Sequence, residues 1–365
     1  MLLARRNLFR DRTRFVLSVL GVAVSIGLIL LLAGYRSGVY RQASAYLDNT
    51  PGSVVVAEKG IRDFLGTSSV LPPDAVQAVA GTRDVDRVIP VVSQFVFFER
   101  HGRKDGFFLI GYDPAVGGGP WKLVEGRAPA ADDELVLDRT NARQHDIGVG
   151  DTVTLLDRDA TVVGLSEGTT FWAGSIAFAR ITMLESLVRS PGLRSFLIVT
   201  PAAGVAPEDL RDRLVVPGAE VLLKRDVIAN DAKLMGRVYD APIGLMVAIA
   251  FVVGVLVVGL VIYTATIERR REYGAVKAIG ARNRVLYRVV GTQALIAAAF
   301  GAVVGIGLAF AAGSALMAWR PQFLVAIEPT GVAIVLASSL LMALLAALIP
   351  ARSIARLEPA EVFRG

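Results

Sequence analysis

The sequence contains no cysteine and only two histidines, His101 and His145, in 365 residues. The missing thiols exclude a disulfide framework and a thiolate metal site, and two imidazoles disfavour a histidine-built metal site within one chain. The sequence also lacks Gly-x-x-x-x-Gly-Lys-[Ser/Thr], the loop that cradles nucleotide phosphates. We therefore predict that the chain neither hydrolyses ATP nor carries a cofactor of its own.

Charged residues are missing from four long stretches, 15–35, 241–267, 289–319 and 329–351. Each stretch is long enough to cross a bilayer as a helix, in a chain of mean hydropathy +0.54. The third exceeds one bilayer thickness and is expected to tilt. A cleaved signal peptide is the alternative for the first stretch, but three more follow it. Uncharged spans disfavour a proton relay, a secondary transporter or an ion channel.

Positive charge is concentrated in the short loops. Residues 1–14 carry five arginines and residues 267–288 carry seven basic residues, whereas the loop 319–329 has only Arg320. Basic loops stay in the cytoplasm, so both termini are predicted to be cytoplasmic. The predicted location of the protein is a bacterial cytoplasmic (inner) membrane. The predicted cytoplasmic parts sum to +10 and the insertion 36–240 to −4. Nucleic acid is therefore not expected as a partner, while the lipid membrane is.

The predicted fold class is a membrane protein with four transmembrane α-helices and a large α+β extracytoplasmic domain inserted between helices 1 and 2. β-Branched and aromatic runs predict strands at 85–99 and 107–112, with a turn over 101–106 between them. Pro350 is expected to break the last helix. The predicted order is a cytoplasmic segment 1–14, span 15–35, the extracytoplasmic domain 36–240, span 241–267, a cytoplasmic element 268–288, span 289–319, an outer loop 320–328, span 329–351 and a cytoplasmic tail 352–365.

Two sets of residues have both a structural and a functional interpretation. Gly301, Gly305 and Gly307, with three glycines of the first span, let helices approach closely, either inside one subunit or between two. Aromatic residues of the insertion pack a domain core or contact an amphiphilic substrate, and core packing is the commoner role of such side chains. They are Phe95, Phe97, Phe98, Phe107, Phe108, Phe171 and Trp172.

The segment 267–281 carries the most specific pattern. Glu268 and Glu272 lie four residues apart and share a face if the segment is helical. Gly274 and Gly280 bracket a short apolar turn. An ordinary basic loop would show similar residue types. The order Glu268-Arg-Arg-Arg-Glu272, then Gly274, then Lys277-Ala-Ile-Gly-Ala281, nevertheless resembles the signature of MacB/FtsX-type (type VII) permeases of ABC transporters.

The resemblance covers nearly the whole chain. Asn7-Leu-Phe-Arg10, Ile147–Leu155 and the ending Pro350–Glu361 also resemble that family, in a layout like DevC or haem-efflux permeases without a fused ATPase. It implies a permease that is not itself an enzyme, a separate cytoplasmic ABC ATPase that binds ATP and Mg, a permease homodimer and a possible periplasmic adaptor. It implies an ATPase-coupling site at Glu268, Arg270, Glu272, Gly274, Lys277, Ala278 and Gly280.

The function implied by the resemblance is export of an amphiphilic or hydrophobic substrate (lipid, haem or drug-like) by mechanotransmission. Motion of the spans would be passed to the extracytoplasmic domain, and the substrate would lie near the outer halves of spans 1 and 2. The candidate contacts are Leu30, Gly34, Ile243 and Val247. Two alternatives stay open: an FtsX-like transmembrane regulator of a cell-wall hydrolase, and a lipoprotein-releasing permease.

Overall fold

The computed structural model describes residues 12–100, 103–171, 174–268, 270–279 and 282–355. In this part of the chain four helices are long and apolar enough to cross a membrane. Two compact units result. One holds residues up to Ser37, Tyr239–Trp319 and the chain from Val325 onward; the other holds Gly38–Val238 and Arg320–Leu324. The loop after the third long helix therefore belongs to the same compact unit as the inserted domain.

Short helices separate groups of strands in the inserted domain, and the long helices include its first and last elements. The helices are α1 (Arg12–Asn49), α2 (Ala75–Ala80), α3 (Arg139–Gln144), α4 (Ile181–Leu187), α5 (Pro207–Arg213), α6 (Lys224–Glu268), α7 (Arg270–Ala278), α8 (Asn283–Trp319) and α9 (Pro329–Ala355). The strands are β1 (Val54–Glu58), β2 (Val85–Arg100), β3 (Arg103–Tyr112), β4 (Leu123–Gly126), β5 (Glu134–Asp138), β6 (Thr152–Leu155), β7 (Arg158–Ser166), β8 (Thr170–Phe171), β9 (Gly174–Arg180), β10 (Phe196–Pro201) and β11 (Ala219–Leu223).

The four long helices α1, α6, α8 and α9 share one buried apolar cluster. It includes Ile26 of α1, Val258 of α6, Val290 of α8 and Met342 of α9, each fully buried or nearly so. Their outward faces carry exposed leucines, valines and isoleucines. A helix satisfies its own backbone hydrogen bonds, so apolar side chains on all faces are compatible with a hydrocarbon surround. The inward and outward faces of these helices are therefore both apolar.

Small residues set how closely α1 approaches α8. A Cβ at Gly305 would lie 2.7 Å from the carbonyl oxygen of Ala23 and 3.0 Å from the Cβ of Ile26, and a Cβ at Gly27 would lie 3.1 Å from the carbonyl oxygen of Gly305. Gly301 likewise faces Val22, whereas nothing lies within 4 Å of a Cβ at Gly307. Gly301 and Gly305 therefore serve packing within one chain, which answers the alternative left open for them.

Pro350 does not end α9, contrary to expectation, because the helix continues to Ala355. Proline lacks the N–H that would bond to the carbonyl four residues earlier, which is that of Ala346. That carbonyl oxygen faces Gly259 of α6, where a Cβ would stand 3.5 Å away. Neighbouring helices commonly accommodate a proline inside a membrane helix in this way, so the residue is tolerated.

One long strand, β2, joins two halves of the sheet. Its first half pairs with β10, from Val85 opposite Pro201 to Val91 opposite Phe196. Its second half pairs with β3, from Val92 opposite Gly111 to Arg100 opposite Arg103. The strand order is β11-β1-β10-β2-β3-β9-β5-β7-β4. In addition, β6 pairs with both β2 and β7, and β8 pairs with β9. Apolar clusters pack around both halves.

The turn expected over 101–106 is shorter than predicted, because β3 begins at Arg103 and Gly106 pairs with Phe97 inside the ladder. Residues 101–102 lie outside the described residues. Gly106 is needed in the strand because the ring of Phe95 covers it; a Cβ there would lie 2.6 Å from that ring. The glycine that suggested a turn instead makes room for a cross-strand aromatic side chain.

A buried carboxylate anchors the loop after β1 to α6. The Oδ1 atom of Asp231, whose side chain is inaccessible to solvent, accepts hydrogen bonds from the backbone N–H groups of Phe64 and Leu65, each at 3.0 Å. The Nδ2 of Asn230 donates to the Arg62 carbonyl at 2.9 Å. Burial raises the pKa of Asp231 from 3.8 to about 7, against the opposing effect of the two N–H donors.

The glycine contact yields a matched pair of variants. We expect Gly305→Leu to force α1 and α8 apart, since its side chain would meet the Ala23 carbonyl. Overpacking of this kind costs about 1–3 kcal/mol or more. Gly307→Leu, which adds the same atoms into open space on the same helix, should be tolerated. Thermal stability of the purified full chain in lipid nanodiscs measures both, and equal stability of the two variants would contradict the packing assignment.

The buried carboxylate predicts a pH dependence. The pKa of Asp231 is raised on folding, so its contribution to stability is complete below pH 3.8 and is lost as the pH rises through about 7. The full shift corresponds to roughly 4 kcal/mol. Asp231→Asn should therefore gain stability relative to wild type between pH 5 and 8.5, measured by hydrogen exchange of the inserted domain at matched pH. Asp157→Asn, at an exposed carboxylate, is the control. A wild-type-to-variant difference that does not change with pH would refute the assignment.

Candidate functional site

The predicted coupling site lies on and beside the short helix α7. Glu272 in its first turn and Lys277 in its last turn both favour helix formation through the helix dipole. Tyr273 is buried and belongs to the apolar cluster of the long helices, and Gly274 is buried beside it in the sequence. The segment from Gly274 to Ala278 is thus helical and not the short turn that we expected. One face of α7 packs inward and the other is open.

Three of the described residues singled out from the sequence are exposed. Glu272 and Ala278 are exposed and Lys277 is half-buried, and Glu268, the last residue of α6, is exposed as well. Residue 269, the side chain of Arg270 and Gly280 lie outside the described residues. The structure therefore exposes two acidic side chains, Glu268 at the end of α6 and Glu272 on α7, with Lys277 half-buried on α7. Their contact with an ATPase stays a prediction.

The predicted substrate positions are less accessible. Leu30 is fully buried in the apolar cluster, Ile243 is buried, and Val247 is half-buried against the same cluster. Gly34 accepts a hydrogen bond at its carbonyl from the Ala326 N–H at 2.8 Å, and a Cβ there would lie 2.9 Å from the side chain of Val325. Leu30 and Gly34 thus pack inside one subunit. As substrate contacts these four residues stay predictions, and their burial favours a packing role.

The sequence analysis did not predict a contact between α1 and α6. It lies where the apolar stretch of α1 ends and that of α6 begins. Arg36 and Asp240 form a two-point ion pair, with Nε to Oδ1 at 2.6 Å and Nη2 to Oδ2 at 3.1 Å. The ring of Tyr35 meets that of Tyr239 edge-on, with centroids 6.5 Å apart. We call these four residues the outer clamp. The sequence signal was present, because each ion-pair residue borders a charge-free run and the two have opposite charge.

The outer clamp fixes the relative position of α1 and α6 more than it stabilises the fold. Both charged side chains are a little under half exposed, at 46% and 43%. Pairs with this much solvent access contribute about 1 kcal/mol or less. The planar guanidinium fork nevertheless fixes direction as well as distance, since two parallel N–H···O bonds form with one carboxylate. The clamp therefore sets the register of α1 against α6 where the two helices leave the apolar stretch.

Four apolar helices with one large α+β domain inserted between the first and the second define a polytopic membrane protein with an extracytoplasmic domain. A family model described as the MacB-like periplasmic core domain matches residues 15–215. A second, described as the FtsX-like permease C-terminal domain, matches residues 244–359. The chain belongs to the MacB/FtsX-type family of ABC transporter permeases, and it is a cell-membrane protein.

The chain is also similar to individual proteins over much or all of its length. An uncharacterised ABC transporter permease of Mycobacterium tuberculosis is 26% identical over 368 residues, which cover 99% of each chain. A pyoverdine export ATP-binding/permease protein of Pseudomonas fluorescens is 24% identical over 98% of this chain, which spans 58% of that protein. The crystal structure of the periplasmic region of MacB from Actinobacillus actinomycetemcomitans is 13% identical, covers 50% of this chain and 94% of that one, and has a TM-score of 0.38.

The outer clamp is testable by charge exchange. Arg36→Asp and Asp240→Arg each place like charges together, and the double variant restores an opposite pair. We expect each single change to raise hydrogen exchange of residues 33–39 and 236–243 about fivefold, the factor that corresponds to about 1 kcal/mol, and the double variant to reverse most of it.

Reversal of the exposed pair Arg189–Asp157 is the control, because its atoms lie 3.5 Å apart with both side chains largely exposed. It should leave exchange of residues 33–39 and 236–243 unchanged. If the exchanged Arg36–Asp240 pair behaves no better than the two single variants, the clamp does not depend on this ion pair.

Proposed function

We propose that the chain is the permease subunit of an ABC exporter that expels an amphiphilic or hydrophobic substrate by mechanotransmission. A separate ATPase would bind ATP and Mg, since the sequence has no phosphate-binding loop. The subunit would act as a homodimer, with both termini in the cytoplasm as the basic loops indicate. A periplasmic adaptor would belong to the assembly if export continues across a second membrane.

The observation that carries the proposal is the continuity of two helices. α1 runs for 38 residues from Arg12 to Asn49, and α6 for 45 residues from Lys224 to Glu268. Each contains one charge-free stretch of the sequence and continues as helix into the inserted domain. Hydrogen bonds along a helix oppose changes in its length, so movement imposed at one end of such a rod would be passed along it; in α6, Pro242 removes one of these bonds near the start of the apolar stretch. The outer clamp would make the two rods move together.

The spans themselves offer little to a hydrophilic substrate. The four charge-free stretches contain no acidic or basic side chain at all. A polar route through a bilayer generally needs such groups or a water-filled cavity lined by polar atoms. This supports a stroke delivered by the extracytoplasmic domain over passage along the spans. It also fits a substrate taken from the outer leaflet or from the outer space.

Export is supported over regulation of a cell-wall hydrolase by one comparison. The Pseudomonas fluorescens relative is named for pyoverdine export, and the present chain matches 58% of it across nearly its own full length. An exporter and a regulator would share the spans and the coupling helix, so those features do not separate the two. A lipoprotein-releasing permease would use the same movement of the extracytoplasmic domain on a different substrate.

The coupling site provides the test. Replacing Glu268 and Glu272 by lysine reverses two exposed charges near Tyr273, which stays buried as an anchor. Like charges placed together across an interface cost several kcal/mol. We therefore expect the ATPase to co-purify at least about tenfold less well, and ATP hydrolysis in reconstituted vesicles to lose its dependence on the permease.

The matched control is Glu125→Lys with Asp157→Lys, which reverses two exposed acidic residues of the inserted domain. It should leave both co-purification and ATP hydrolysis unchanged. Normal assembly and permease-dependent hydrolysis in the Glu268 and Glu272 variant would contradict the coupling assignment.

A further inference from the structure

The inserted domain contains a cavity of about 410 Å³ under the loop that Asp231 anchors. Its walls come from three places: the loop residues 64–68, the face of β2 and β3 around Ser93–Phe95 and Phe108, and one side of α6 before the apolar stretch. All of its lining residues belong to the described part of the chain and to one compact unit. We call this space the outer-domain cavity.

The walls of the outer-domain cavity are apolar and uncharged. Four phenylalanines line it, with Phe108 edge-on to both Phe64 and Phe171 at centroid distances of 6.1 and 6.3 Å. Leu65, Leu234, Met235 and Val238 complete the apolar surface, and no lining residue is acidic or basic. A charged group would lose its hydration here without a partner, so these walls select an uncharged apolar one.

Polar groups are limited to a few positions. Ser93 is buried and Gln94 half-buried, whereas Thr67 and Ser68 are exposed at the rim. Val238 is also at the rim, 51% exposed. Its carbonyl lacks the usual helical donor four residues later, because that residue is Pro242. The rim therefore presents the hydroxyl groups of Thr67 and Ser68 beside an apolar interior, an arrangement that matches an amphiphile with an uncharged tail and a hydrogen-bonding head.

The cavity is built rather than left over between loosely packed segments. Phe64 is 1% exposed and packs between Tyr46 and Phe196, with centroid distances of 5.1 and 4.9 Å. The next residues are held by the two hydrogen bonds to Asp231 and by the bond from the Gly66 N–H to Asp63 at 2.9 Å. Pre-formed, mostly apolar cavities of roughly 300–1,000 Å³ with a few placed polar groups are typical small-molecule sites.

We propose that the outer-domain cavity binds the uncharged apolar part of an amphiphile, an acyl chain or a comparably sized ring system, with its polar head at the Thr67–Ser68 rim. This deepens the proposed export function, on which the identity of the ligand as cargo rests. Asp231 is a positioning residue that holds the loop wall. Leu234 and Val238 lie a few residues before the charge-free stretch 241–267 along the same helix, which suits a ligand that partitions into membranes.

A photolabelling experiment tests the site on the full chain in lipid nanodiscs. The probe is a long-chain alcohol carrying a diazirine, which is neutral; its sulfate ester is the charged comparison. We expect saturable labelling of peptides 64–68 and 234–238 by the alcohol and at least about tenfold less by the sulfate. A phospholipid carrying the same diazirine chain identifies the source: labelling by this lipid too indicates a membrane lipid, and labelling by the alcohol alone indicates a free amphiphile.

Variants separate the cavity from nonspecific partitioning. Thr67→Trp with Val238→Trp narrows the rim and should reduce labelling about tenfold. Val215→Trp, at a valine 82% exposed elsewhere on the same unit, should not. Asp231→Ala removes the acceptor for two N–H groups and should also reduce labelling, whereas Asp231→Asn keeps that acceptor and should restore it. Unsaturable labelling, or equal labelling in the rim variant and its control, overturns the site.

Adding the ATPase and ATP distinguishes failure of the site from failure of the export function. ATP-dependent loss of the labelled amphiphile from vesicles, with the cavity unlabelled, would overturn the cavity assignment alone. Saturable cavity labelling that ATP leaves unchanged would overturn the cargo role while leaving a binding site in the domain. Labelling that falls when ATP is added supports both.

Discussion

The close backbone contact between α1 and α8 is the constraint on which the rest of the membrane part depends. Gly27, Gly301 and Gly305 lack the side chains that would hold the two helices apart, since a Cβ at any of them would lie within 3.1 Å of an atom of the other helix. In hydrocarbon the hydrophobic effect gives no drive for helices to associate, and close van der Waals contact between small residues takes its place. The first span thereby becomes a central element of the bundle rather than a peripheral anchor.

Further contacts of α1 follow from that central position. Gly21 faces Val257 of α6, and Gly34 receives the hydrogen bond from Ala326 in the loop before α9. At the outer end, the Arg36–Asp240 pair ties α1 to α6 again. Close packing of this kind couples the position of α1 to the positions of its neighbours. The coordinated movement proposed above would depend on these contacts.

The sequence predicted what depends on composition and missed what depends on tertiary approach. Uncharged stretches located the four long helices, because a bilayer tolerates few charges. Gly106 and Pro350 led to wrong local predictions. Gly106 lies under the ring of Phe95, and the carbonyl group that lacks a donor because of Pro350 faces Gly259. Leu30 was chosen for its place along the span, but which face of a nearly uniformly apolar helix turns inward is not encoded by polarity.

In the candidate site, too, some residues were predictable from a sequence pattern and others become neighbours only in the folded chain. Glu268, Glu272 and Lys277 stood out because a recognisable order of residues surrounds them, and the structure adds that the buried Tyr273 anchors the helix between them. The outer clamp and the outer-domain cavity had no motif. The cavity brings together Phe64, Phe108, Phe171 and Leu234, which are separated by up to 170 positions in the chain. Only the pairing of β2 with β3 and the docking of the loop onto Asp231 make them neighbours.

The position of Asp231 gives the cavity a property that an all-apolar wall would lack. Its carboxyl group is buried with only one oxygen in described hydrogen bonds, since Oδ2 has no partner there. Leaving such an oxygen unsatisfied costs about 1–3 kcal/mol, and protonation lowers that cost near neutral pH, where its raised pKa lies. The two hydrogen bonds that hold the loop wall strengthen when the Asp231 carboxyl group is charged, whereas its burial favours the neutral form. The charge of this anchor is therefore set by a balance between burial and its two N–H donors.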